Sequence, residues 1–217
     1  MKIFFSFIFL ILLFASCSFQ KPKNEWQYKS SYAYNSYVKN FLSSNELLAL
    51  SDFNRALTYA KQSANLKQLA QLYLGKCSLN LSVGIEDNCV EYHDISSVVQ
   101  SKKFDAYAAF LHGNIKSTQI ELLPKGNQKF VNSLFNRDYK SANEEIVQMQ
   151  RIESQLLGTA LLKDKVEYKT LQAVLEKTSY YGYKKASLFL LELLKERSKD
   201  ENEARFIEKK ISILNTK

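Results

Sequence analysis

The sequence predicts an all-α fold. Apolar residues recur at helical spacing in nearly every window from Trp26 onward, and strong helix formers (Leu, Lys, Ala, Glu, Gln) are abundant. Only two Pro and six Gly occur in 217 residues. That scarcity excludes collagen-like and low-complexity chains and disfavours a β-sandwich, which turns every ~8–12 residues. With 46% hydrophobic and 24% charged residues, the chain can bury one sizeable core. The expected architecture is a run of consecutive antiparallel helical hairpins, stacked as an α-solenoid or folded into an irregular helical bundle.

In chain order, the first element is an address. Lys2 precedes an apolar run from Ile3 to Phe14 that only Ser6 interrupts. A spanning helix needs roughly 20 apolar residues, so this shorter run reads as a secretory signal. It ends in Phe14-Ala15-Ser16-Cys17, and small residues directly ahead of a Cys resemble the lipobox of bacterial lipoproteins. Phe14 stands where that family usually has Leu. The resemblance implies diacylglycerol on the Cys17 thiol, cleavage before Cys17 and a further acyl chain, such as palmitate, on the new amino group. Two or three acyl chains anchor a protein far more durably than one. Under the sorting rule of Gram-negative lipoproteins, Ser18 in place of Asp favours the outer membrane. An ordinary signal peptide with an incidental Cys17, or an uncleaved anchor, are the alternatives. The expected organisation is a signal peptide over 1–16, a lipidated Cys and flexible tether over 17–25, and a helical domain over 26–217.

The helical domain opens with Tyr34, Tyr37, Val38, Phe41 and Leu42, followed by Phe53, Ala56, Leu57 and Ala60, then Leu66, Leu69, Ala70, Tyr73 and Leu74. Phe104, Tyr107, Ala108 and Leu111 mark the middle, with Phe130, Val131, Leu134 and Phe135 beyond them. The C-terminal third is the most regular: Leu156, Leu157, Ala160 and Leu161; Leu171, Val174 and Leu175; Ala186, Phe189, Leu190, Leu193 and Leu194; and Phe206, Ile207, Ile211 and Leu214. Breaks are expected at Ser43–Asn45, Val83–Asn88, Pro124–Asn127, Asn136–Asp138, Tyr181–Gly182 and Ser198–Asp200. The best strand candidate is Ser96–Gln100, a short one.

One phrase recurs: Asp52-Phe53-Asn54-Arg55-Ala56, Asp138-Tyr139-Lys140-Ser141-Ala142 and Gly182-Tyr183-Lys184-Lys185-Ala186. Its aromatics lie 86 and 44 residues apart. A turn residue ahead of aromatic–x–x–Ala suits a helical hairpin: the aromatic packs into the hairpin and the Ala lets two helices approach. This resembles the start of the second helix of a tetratricopeptide repeat or its Sel1-like relative. The resemblance makes Phe53, Ala56, Tyr139, Ala142, Tyr183 and Ala186 the repeat anchors. The spacing exceeds the roughly 34 residues of that family, and its first-helix Trp–Leu-Gly–Tyr signature is out of register, although Leu74-Gly75 and Leu157-Gly158 occur.

Cys77 and Cys89 straddle the expected break at Val83–Asn88. In an exported chain they form a disulfide candidate, and Cys-bridged hairpins are a habit of Sel1-like proteins. Two reduced core cysteines, or redox or metal duty, are the alternatives. Cys89, His93 and Asp94 imitate ligands, but no second pair sits at metal-binding spacing, and His93 and His112 read as partly exposed polar residues. Glu144-Glu145 and Glu201/Glu203 read as solvated helix faces. Gly-x-Ser-x-Gly, His-Glu-x-x-His and a Gly-rich phosphate loop are missing. No catalytic residue, metal, cofactor or small-molecule substrate is therefore assigned.

The formal charge of +8 comes from Lys far more than Arg, and the lysines are scattered. Nucleic-acid binding needs a clustered basic face, so acidic envelope surfaces are the expected electrostatic partners. The Tyr28/Tyr32/Tyr34/Tyr37 and Tyr180/Tyr181/Tyr183 runs suit an interface. The expected function is that of a lipid-anchored, non-enzymatic interaction module that docks another envelope protein in the periplasm. A surface-exposed adhesin or host-facing factor is the alternative, and an envelope-acting hydrolase a more distant one.

Overall fold

The structure is a computed structural model and describes residues 24–216. The signal segment and Cys17 lie outside the described residues. Eleven α-helices are described: α1 Glu25–Leu42, α2 Glu46–Ala60, α3 Leu66–Leu81, α4 Val90–Val99, α5 Lys102–Leu111, α6 Lys125–Phe135, α7 Tyr139–Gln148, α8 Ile152–Leu162, α9 Tyr168–Tyr180, α10 Lys184–Arg197 and α11 Glu201–Asn215. Short 3-10 turns cover Ser117–Leu122 and Lys163–Lys165. The protein is all-α, and no strand occurs among the described residues.

Ser96–Gln100 is therefore not a strand. Residues 96–99 form the last turn of α4, and Gln100 ends it in a left-handed conformation with φ 48°. The Val98-Val99 pair suggests β structure locally, but Tyr92 and Val99, two turns apart, both face the core. Burial along one helical face decides the outcome.

Three hairpins, α1–α2, α6–α7 and α9–α10, share one turn. The middle residue of each three-residue link, Ser44, Arg137 or Gly182, has φ of 64°, 58° or 68°. The next N–H then bonds back five residues: Asn45 to Asn40 O at 2.8 Å, Asp138 to Ser133 O at 2.9 Å and Tyr183 to Thr178 O at 2.9 Å. This is a Schellman ending, which satisfies the last carbonyls of the preceding helix. Gly84 and Gly113 close α3 and α5 in the same way.

The recurring phrase does not follow these turns in register. Tyr139 is the first residue of α7, Tyr183 is the N-cap of α10, and Phe53 lies in the middle of α2. Asp52 is no turn residue: its carboxylate accepts from Asn40 Nδ2 at 2.7 Å and pairs with Arg55 at 2.5 Å. What the phrases do share is the alanine. Ala56, Ala142 and Ala186 are each 0% exposed.

Neighbouring helices pack in sequence, but the chain also closes on itself. Helix α10 packs on α1, and α3 packs on α8. Lys185 of α10 pairs with Glu46 at 2.5 Å and holds its ammonium 3.9 Å above the Phe41 ring centre. The Phe189 ring lies so close to Gly84 that a Cβ there would come within 2.8 Å of it. In a solenoid each repeat touches only its neighbours. Here early and late hairpins meet, which places the molecule with the irregular bundles.

A single contiguous core runs through these helices. Buried polar side chains knit the links into it. Asn143 donates to Tyr139 O at 2.7 Å and Lys165 O at 3.0 Å, and accepts from Glu167 N–H at 2.7 Å. From the other side, Arg197 donates to Val166 O and to Lys163 O. The link between α8 and α9 is thus gripped from α7 and from α10.

Candidate functional site: an aromatic-walled cleft

A cleft of about 880 Å³ opens where α1, α3, α5, the Leu122–Gln128 segment and the start of α8 converge. That volume falls within the ~300–1,000 Å³ typical of ligand sites. Its apolar wall includes Val38, Leu74, Phe104, Leu122, Met149 and Leu157. Two phenols, Tyr34 and Tyr107, add polar tips to this wall, and Lys103, Lys125, Arg151, Glu121 and Glu153 supply its charges.

Local sequence explains how the wall is built. Gly75 on α3 leaves a gap in which the Tyr34 ring lies; a Cβ at that position would collide with the Tyr34 hydroxyl. The Leu-Gly pair noted in the sequence thus serves close packing. Tyr107 reaches from α5 to α3, its hydroxyl 3.1 Å from Ser78 Oγ. Gln128 donates to Glu121 O at 3.2 Å and Leu123 O at 2.8 Å, which fixes the segment on the far side.

Burial sets the protonation of the two phenols. Burial pushes the Tyr34 phenol far above its usual range, with Tyr37 adding to the shift. Burial also pushes Tyr107 up, against the opposing bond from Ser78 and the charge of Arg151. Both phenols are therefore protonated near neutral pH and act as hydroxyls, not as bases. Arg151 lies 3.4 Å from Glu153, which ties that carboxylate to a cation.

Of the residues singled out in the sequence, Tyr34 lines the cleft, while the cysteines, the phrase residues and the Glu201/Glu203 pair are elsewhere. Cys77 and Cys89 lie on the α3–α4 side, with sulfurs 1.93 Å apart and Cα atoms 5.2 Å apart. Phe53, Ala56, Tyr139, Ala142, Tyr183 and Ala186 belong to helix packing, and none of them lines the cleft. Glu203 accepts from the Tyr168 hydroxyl at 2.5 Å and from Ser198 Oγ at 2.8 Å, while Glu201 pairs with Arg205 at 3.2 Å. The cleft went unread because Tyr34, Phe104 and Tyr107 carry the same helical spacing as core residues. Only Leu74-Gly75 hinted at a close approach. Compared with family models, curated proteins and solved structures, the chain matches none.

Proposed function

We propose that this protein is a lipid-anchored component of the bacterial envelope, held at the outer membrane through Cys17, that binds a segment of another envelope protein without catalysing a reaction. The observation that carries this reading is the cleft: an apolar and aromatic wall, two protonated phenols and a charged rim. Aromatic residues with polar tips are the side chains that interfaces favour. The lipobox-like Phe14-Ala15-Ser16-Cys17 supports the anchor.

Two experiments test the two halves. A photo-crosslinking amino acid at Phe104, on the cleft wall, should capture one envelope protein in intact cells. The same group at Tyr180, which is 85% exposed and outside the cleft, should not. Equal capture from both positions, or none from Phe104, overturns the binding reading. For the anchor, Cys17→Ser should accumulate as an unprocessed precursor that incorporates no fatty acid. Normal acylation and processing of that variant overturns it.

A further inference from the structure

We propose that Cys77, Cys89 and His112 form a redox-gated metal site, closed while the two sulfurs are bonded to each other and able to take zinc once the disulfide is reduced. The two sulfurs and an imidazole nitrogen of His112 all lie within 4.8 Å of one another. Zinc holds Cys sulfur at about 2.3 Å and His nitrogen at about 2.0–2.1 Å, so its tetrahedral ligands stand about 3.5–3.8 Å apart. Reaching that spacing takes at most about an ångström of approach by the imidazole, while the sulfurs part.

Three features set this cluster apart from a chance meeting. His112 Nε2 is buried and has no hydrogen-bond partner. A buried polar atom without a partner is costly and calls for an explanation, which a metal-ligand role for this imidazole supplies. The ligands come from three packed elements: Cys77 from α3, Cys89 from the N-cap of α4 and His112 from the C-cap of α5. The loop that carries Cys89 is also braced independently of the disulfide. Asp87 accepts from Asn80 Nδ2 at 2.7 Å and from Cys89 N–H at 2.8 Å, and Ile85 N–H bonds to Asn80 O at 3.0 Å. These bonds keep Cys89 beside Cys77 after the S–S bond is cut. Sequence spacing assigned no metal ligands, and His112 lies far from both cysteines along the chain; the fold brings it to them because α5 packs against α3.

The chemistry balances with a dithiol reductant. Two electrons from the dithiol cleave the S–S bond and leave two thiols, and the reductant becomes a disulfide. Binding of Zn²⁺ then displaces two thiol protons and gives a neutral bis-thiolate centre with one imidazole. The fourth position is left for water.

The test uses the chain from residue 18 onward, which keeps Cys77 and Cys89 as its only thiols, and Co²⁺ as the probe, without oxygen. After reduction by a phosphine, the protein should bind one Co²⁺ per chain and show thiolate-to-cobalt charge-transfer absorption. The oxidised protein should show none. His112→Gln should weaken binding more than about tenfold, the scale on which even supporting partners of metal ligands act, and Lys102→Gln, an exposed change at the other end of α5, should leave it unchanged. Far-UV circular dichroism is recorded on the same samples. Any of three results overturns the proposal: a reduced, helical chain without the charge-transfer band; His112→Gln binding as tightly as the parent; or loss of helix on reduction.

Discussion

Ala186 is fully enclosed where α10 enters the bundle, whereas Lys184, two residues earlier, is only partly covered. Ala186→Leu should cost about 1–3 kcal/mol by overpacking, and Lys184→Leu should stay within about 0.5 kcal/mol. At roughly 2–4 °C per kcal/mol for a domain of this size, thermal melts separate the two. Asn143 is the second sensitive residue. Asn143→Ala strands the part-buried Glu167 N–H and the Lys165 carbonyl and should cost about 1–2 kcal/mol. The tyrosines set a pH dependence. Burial, with a hydrogen bond to Glu203, raises Tyr168 to about 12. In the unfolded chain Tyr releases its proton near pH ~10, so the unfolded state binds fewer protons above that pH and stability falls. The loss should run from pH about 10 to about 12, and Tyr168→Phe should make it shallower in melts recorded against pH. Sequence spacing identified buried faces well at this scale: Phe41, Leu42, Leu156 and Leu190 are all enclosed. It failed where a helix lies at the rim. Phe135 and Phe206 carry the same spacing and are 52% and 60% exposed, since periodicity marks a face without saying whether anything covers it.

For the elements, five of the six expected breaks coincide with links between helices. The sixth runs late, since α6 already begins at Lys125, directly after Pro124. Unforeseen links, such as those after Ala60 and Leu162, carry no glycine or proline; the first is largely exposed and ends at Asn65, whose side chain caps the next helix by accepting from Lys67 N–H at 3.1 Å. Ser44 and Arg137 show the same limit: both take the left-handed turn without being Gly. Gly182 takes it with open space around its missing Cβ, so Gly182→Ala should cost only the backbone strain, about 1–2 kcal/mol in a thermal melt. The Cys77–Cys89 pair encloses a link of sequence separation 12. If the bond persists in the cell, protein purified without reductant and then denatured should offer no free thiol, and reduction should cost about 3 kcal/mol. Two reactive thiols in that sample would show that the cysteines remain reduced.

At the scale of the whole molecule, all-α class and hairpin order were legible in the sequence, because each depends on local periodicity and short links. Closure was not. The meeting of α10 with α1 depends on Lys185 finding Glu46 and Phe41, and no local pattern encodes that partnership. The same contact has a consequence in time. Ribosomes deliver the N-terminus first, at about 5–20 residues per second. Phe41 and Glu46 therefore exist for roughly ten seconds before Lys185 is made. Throughout that interval α1 lacks the helix that will cover it, and its apolar flank is open to a holding chaperone or to a second nascent copy. The bundle cannot close before α10 has been made, so a chain that stalls ahead of α10 is a client for quality control, however well its first hairpins have formed.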